Sequence, residues 1–81
     1  MRLHYSAAAR LQIERLPSYL QIRVLRKLAH YAAQPDPLEF AEPLVGVDLY
    51  RFRVGDYRVI FEVLHDAIWV LAVRRRDEAY R

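Results

Sequence analysis

Arginine recurs in a short, otherwise apolar stretch of this chain, Tyr50-Arg51-Phe52-Arg53-Val54-Gly55-Asp56-Tyr57-Arg58-Val59-Ile60-Phe61-Glu62-Val63. Arg51 and Arg53 alternate with Tyr50, Phe52 and Val54, so on a strand both point to one face. Arg58 follows the Val54-Gly55-Asp56 turn and belongs to the next strand. Arg74, Arg75 and Arg76 come next among the bases, and Tyr80 stands close to the end. A guanidinium is always charged and matches phosphate oxygens in pairs. A small sheet that gathers such groups is built to meet an anion, and a polyanion is the simplest candidate.

Other chemistries are poorly served. His4, His30 and His65 fall on a strand, a helix and a hairpin tip, and no pair has metal-ligand spacing. Ser6 and Ser18 are the only serines. Both sit at helix starts, where capping is their ordinary role. With Gly46 and Gly55 the only glycines, there is no phosphate-cradling loop. Cysteine is absent, which excludes disulfides and thiolate metal sites and fits a reducing cytoplasm. No metal and no small-molecule cofactor is expected.

Eighty-one residues make one domain, 1–81, with a modest core. A tight partner would add to its working stability. Hydrophobic content of 54% argues against disorder. No apolar run approaches a membrane span, and the N-terminus lacks the apolar block of a signal peptide. The expected location is therefore the cytoplasm, with no membrane partner. Of the 13 basic residues only Lys27 is a lysine. A GC-rich genome explains such a bias as readily as function does, so position matters more than count. From Asp36 to Asp48 there are four acids and no base; from Arg51 to Arg81 there are seven bases and five acids.

The elements that must position these residues follow from periodicity. Arg2 to Tyr5 alternates and reads as a brief strand. Ser6 caps a helix through Leu16 whose core face holds Ala8, Leu11 and Leu16. Pro17 fits the first turn of a second helix running to about Ala33. Leu20, Val24, Leu28 and Tyr31 give that helix an apolar stripe, widened by Ile22, Leu25, Ala29 and Ala32. Gln34-Pro35-Asp36-Pro37 stops it. The short connection predicts an antiparallel helical hairpin. Leu38 to Val47 is an extended or irregular crossing. Three strands follow, about 48–54, 57–64 and 67–73, joined at Gly55-Asp56 and His65-Asp66. Tyr57, Val59, Phe61 and Val63 share a core face. Ile68 to Val73 is nearly all apolar and predicts an interior strand covered on both faces, with Trp69 in the core. The fold class is α+β, β-α-α-β-β-β: a small twisted, mostly antiparallel sheet with the helical hairpin on one face. The other face is left for Arg51, Arg53 and Arg58.

On the second helix Arg23, Arg26, Lys27 and His30 form a basic stripe opposite the apolar one. It is either an ordinary solvated face or a second phosphate-contact surface. The sheet arginines carry plain structural readings too. Arg51 and Arg53 suit the polar face of a half-exposed strand. Arg58 suits an ion pair with Glu62 or Asp56. Arg74 to Arg76 suit a solvated run, and Tyr80 a C-terminal anchor.

The segment "YRFRVGDYRVIFEV", followed by a short strand and "RRRDEAYR", resembles the RelE/ParE superfamily of bacterial and archaeal toxins over nearly the whole chain, and the RelE branch more closely. That resemblance implies a toxin of a type II toxin–antitoxin system. In the RelE branch it implies a ribosome-dependent endoribonuclease that cuts mRNA in the decoding site by attack of a 2′-hydroxyl on the adjacent phosphate. It places Arg58 on the scissile phosphate, Arg76 at the leaving group, and Tyr80 as a base or stacking partner. Arg51 and Arg53 fall where relatives often carry lysines, and Arg75 where many carry a histidine. Arg74, Arg75, Arg23, Arg26 and Lys27 are the further RNA-binding candidates. The implied partners are a cognate antitoxin and the ribosome, with its rRNA and mRNA. The resemblance also admits a ParE-like inhibitor of DNA gyrase and a degenerate member that only binds its antitoxin. Arginine does not lose its proton in proteins, so neither Arg51 nor Arg53 can replace a lysine as a base.

Overall fold

The computed structural model describes residues 1–76. Strand β1 (Arg2–Tyr5) leads into helices α1 (Ala7–Glu14) and α2 (Ser18–Ala32). A 3-10 turn (Pro37–Phe40) and a two-residue strand β2 (Glu42–Pro43) occupy the crossing that reads as irregular from sequence. Strands β3 (Tyr50–Val54), β4 (Tyr57–Leu64) and β5 (Ala67–Arg75) complete the chain as far as it is described. The sheet order is β1-β5-β4-β3-β2. Only β1 and β5 run parallel; the other neighbours are antiparallel. The α+β class, the helical hairpin and the mostly antiparallel sheet agree with the sequence reading.

Register assigns every strand residue to a face. Tyr50, Phe52, Val54, Tyr57, Val59, Phe61, Val63, Ile68, Val70, Val73, Leu3 and Tyr5 turn toward the helices. Most of these are buried with Val24, Leu28 and Ala32 of α2 and Ala9 and Ile13 of α1. Phe52 and Phe61 stack at 4.3 Å between ring centroids, and Tyr31 covers Phe52 at 4.5 Å. These rings form the largest block of the core and fix α2 over β3 and β4.

The hairpin turns follow backbone chemistry. Gly55 opens the β3–β4 turn at φ +59°, a conformation other residues rarely adopt. His65 and Asp66 both take positive φ, as a tight turn between twisted strands demands. A bulge between Ile60 and Phe61 shifts the β4–β5 register by one residue and leaves Leu71 without a partner in that ladder.

Four expectations fail in detail. Helix α1 buries Ala9 and Ile13, whereas Ala8 and Leu11 are exposed. Ser6 explains the rotation. Its Oγ accepts from the Ala9 N–H at 3.0 Å and donates to the Leu71 carbonyl at 3.0 Å, while its N–H donates to the Val70 carbonyl at 2.9 Å. Pinned to β5 in this way, α1 presents its small Ala9 to the sheet, and Gln12 accepts from the Val73 N–H at 2.6 Å. Second, Pro17 rather than Ser18 occupies the N-cap of α2, and no side chain caps that end. Its carbonyl instead accepts from the Leu20 and Gln21 N–H groups. Third, β5 is interior to the sheet but covered on one face alone. Trp69 lies on the open face and is 37% exposed. Ile22 and Leu25 of α2 are likewise exposed rather than core.

Candidate functional site

The open face gathers charge by strand pairing. Arg53 pairs with Arg58 across β3 and β4, and Arg58 pairs with Arg74 across β4 and β5. The result is a row of like charges across adjacent strands on one face. Directly opposed residues have Cβ atoms only ~4.5–5.5 Å apart. Such a row is unfavourable for folding and needs a counter-charge. Arg51 lies on the same face, paired with Ile60 in β4 and Glu42 in β2.

Glu42 supplies part of that counter-charge. Its Oε2 accepts from Arg51 Nη2 at 3.1 Å and Nε at 3.3 Å, and its Oε1 pairs with Arg53 Nε at 2.5 Å. The hydrogen bond from Arg51 and then the bond and charge of Arg53 hold the Glu42 carboxyl below its ordinary value, against an opposing effect of burial. Nothing in the local pattern marks Glu42 for this role. Its place beside Arg51 depends on a two-residue strand that sequence periodicity cannot reveal.

Arg58 is the central residue of the row. It is buried, with 4% of its surface exposed. Its Nη1 donates to the carbonyls of Tyr57 at 3.2 Å and Gly55 at 3.5 Å. Its Nε is buried and has no partner among the described residues. Neither Glu62 nor Asp56 forms an ion pair with it. The guanidinium is therefore a buried cation between two others, with an unused donor.

The remaining candidates divide between two sides. Arg74 is exposed on the open face, with no ion-pair partner among the described residues. Arg75 pairs with Tyr57 and so belongs to the helix side. There it lines a cleft of about 400 Å³ with Arg23, Tyr19, Asp56 and Tyr57. Arg23 lies over the β3–β4 turn, where a Cβ on Gly55 would meet its guanidinium at 3.3 Å. The Arg76 N–H donates to the Asp56 carbonyl at 2.7 Å, which ties the end of β5 to that same turn. Arg26, Lys27 and His30 line a shallow groove of about 480 Å³ on the outer side of α2, with Arg23, Tyr19 and Ile22. Tyr80 lies outside the described residues. Tyr5 is no substitute for it as a base, because it is on the helix side and burial raises its pKa. Among the described residues no cluster of His, Cys, Asp or Glu has the makings of a metal site. No described helix is long and apolar enough to cross a membrane.

Comparison with known proteins follows the same outline. The sequence model of the family described as "ParE toxin of type II toxin-antitoxin system, parDE" matches residues 3–80. The chain belongs to this family of toxins. It is a type II toxin of the RelE/ParE superfamily, with the fold of solved RelE toxins. The toxin in the RelBE2 toxin–antitoxin complex of Mycobacterium tuberculosis superposes with a TM-score of 0.77 at 22% identity, covering 93% of this chain and 96% of that one. The isolated E. coli RelE toxin gives 0.76 at 22% identity, covering 98% and 89%. The archaeal RelE–RelB complex from Pyrococcus horikoshii OT3 gives 0.72 at 29% identity, covering 93% of each chain. No curated protein sequence matches this toxin.

Proposed function

We propose that this toxin is a ribosome-dependent mRNA endoribonuclease held inactive by a cognate antitoxin. The observation that carries this reading is the Arg53–Arg58–Arg74 row, with the buried Arg58 Nε left without a partner among the described residues. A row of like charges destabilises the apo-protein and becomes favourable when a phosphate enters. In the reaction a base takes the proton of a 2′-hydroxyl, whose oxygen attacks the adjacent phosphorus. The bond to the 5′-oxygen breaks, leaving a cyclic phosphate and a 5′-hydroxyl once that oxygen gains a proton. Arg58 holds the scissile phosphate and balances charge on the pentavalent phosphorus, where preorganised donors contribute most. Arg53 and Arg74 flank it. Arg51 adds positive potential along the substrate path on the open face, Arg75 joins Arg23 on the helix side as a contact to RNA beyond the cleaved strand, and Arg76 serves the leaving oxygen. Tyr80 is the base or stacks on the substrate. As a base, a tyrosine with an ordinary pKa of about 10 requires positive charge close by to ionise readily. Arg23, Arg26 and Lys27 on α2 contact ribosomal RNA.

A second reading, gyrase inhibition in the manner of the ParE branch, is favoured by one arrangement. Glu42 already occupies Arg51 and Arg53, and Arg58 is buried, so protein contacts elsewhere would do the poisoning. A degenerate member that binds only its antitoxin would share that geometry.

Primer extension on a defined mRNA with purified ribosomes separates these readings. The expected result is cleavage in the decoding-site codon that requires the ribosome and is lost in Arg58→Ala, with Tyr80→Phe weakened. Growth arrest without cleavage, persisting in Arg58→Ala and accompanied by inhibition of gyrase supercoiling, would replace the nuclease reading with the second. Neither arrest nor cleavage would leave the degenerate member.

A further inference from the structure

The open face carries a second feature, away from the arginine row. His4 and Trp69 pair in register across β1 and β5, and their rings stack with centroids 4.3 Å apart and planes 20° from parallel. Trp69 is the only tryptophan in the chain and is 37% exposed. Glu62 of β4 pairs with Trp69 from its other side. Exposed Arg2 shares the face, two residues before His4 on β1. From Arg58 to Glu62 along β4 is roughly 13 Å at about 3.3 Å per residue. Ile60 and Ala72, paired in register and uncharged, lie between.

The face thus presents guanidiniums, a neutral saddle and an aromatic pair in sequence. Surfaces that bind single-stranded nucleic acid combine the same parts: cations follow the backbone, and aromatic rings take up bases. The charge pattern decides which part of a nucleotide goes where. Glu62 repels a phosphate beside Trp69, so that end of the face suits a base rather than the backbone. Roughly 13 Å corresponds to about four nucleotides at the ~3.4 Å stacked spacing, and to fewer in a stretched strand.

We propose that Trp69, backed by His4, is a stacking platform for an unpaired base of the RNA strand whose phosphate lies at Arg58. This rests on the RNA-directed reading above. It adds a binding subsite that the cleavage chemistry does not require.

The test uses the full-length toxin and a short single-stranded RNA at low salt. Fluorescence anisotropy of a labelled strand reads binding, and Trp69 emission reads stacking with an unlabelled strand. An abasic strand of equal length is the control, and circular dichroism confirms that each variant folds. The expected result is saturable quenching of Trp69 by RNA and none by the abasic strand, although both bind. Trp69→Ala should weaken RNA binding by roughly 5- to 150-fold, the equivalent of about 1–3 kcal/mol for one stacked base. Trp69→Phe should restore most of it. Arg58→Ala should weaken both strands. RNA that binds with Trp69 emission unchanged, or binds Trp69→Ala as tightly as the wild type, overturns the platform and leaves the RNA reading standing. Failure of both strands to bind overturns the platform, and the ribosome cleavage assay above decides the RNA-directed reading separately. Emission altered by a partner protein but not by bound RNA reassigns the aromatic pair to a protein interface.

Discussion

At the scale of single residues, the proposed reaction has Arg58 setting function against stability. It is a buried cation between Arg53 and Arg74 whose Nε has no partner among the described residues. Replacing a buried charge by an apolar side chain of similar length is often neutral or stabilising. Arg58→Met is therefore expected to raise stability by about 1 kcal/mol while lowering cleavage by at least about 100-fold, the scale of losing one donor to a transition-state oxyanion. Thermal melting and ribosome-dependent cleavage check the two halves separately; a variant that loses both would show that Arg58 holds the fold. Glu42 gives the opposite case. Its carboxyl lies below the ordinary 4.5, first because Arg51 donates to it. A carboxyl with a lowered folded-state pKa adds stability above its unfolded pKa and loses it as pH falls through the folded value. The stability gap between wild type and Glu42→Gln should thus be level near neutrality and close on acidification through and below the usual carboxylate range. Denaturant melts across pH read that gap, which is small because the side chain is well exposed. The same variant releases Arg51 and Arg53 from Glu42, so its RNA affinity should fall more steeply with salt. Every further phosphate of a single strand that these arginines neutralise steepens the slope by roughly 0.7.

At the scale of elements, Ser6 shows how a site's geometry depends on one cap. Its hydroxyl serves the Ala9 N–H and the Leu71 carbonyl together, the latter set apart from the β4–β5 ladder by the bulge. Ser6→Ala removes both bonds. It is expected to cost about 1–2 kcal/mol, and about 4–8 °C in melting temperature for each kcal/mol in a domain this small. Hydrogen exchange at Ala9 should quicken by more than in α2; a uniform change would argue against a local cap. This cap is legible in the sequence as the start of a helix, but the rotation of that helix is not. The face of α1 is set by Ser6 bonding to β5, a long-range interaction that outweighs the larger side chain of Leu11. For a related reason Trp69 reads as core from sequence. Apolar runs record hydrophobicity but not whether anything covers the second face of the sheet. The β3–β4 hairpin and its arginines are legible because alternation and Gly55 encode face and turn locally. The Arg53–Arg58–Arg74 row as a whole is not, because it needs the register of β5 against β4.

At the scale of the molecule, basic charge lies on two opposed surfaces. The arginine row faces away from the helices, while Arg23, Arg26, Lys27 and His30 line the outer side of α2. Principal extents of 30 × 27 × 22 Å put the thickness of the molecule between them. One short RNA strand cannot engage both, whereas a toxin seated within a large RNA-lined cavity can. The two surfaces should therefore separate in kinetics. Arg26→Glu with Lys27→Glu reverses charge on α2, far from the phosphate that the proposed reaction would cleave. It is expected to leave binding of short single-stranded RNA within about twofold and kcat on the ribosome unchanged, while raising KM. If α2 pairs with phosphates as proposed, that pairing favours the ground and transition states about equally, so its removal appears in KM alone. The salt dependence of kcat/KM should also flatten, by roughly 0.9 in slope for each phosphate of double-helical rRNA that α2 no longer neutralises. Steady-state cleavage on purified ribosomes over a range of salt concentrations gives both numbers. An unchanged KM would mark the α2 stripe as an ordinary solvated face. A fall in kcat at constant KM would place α2 within reach of the chemistry.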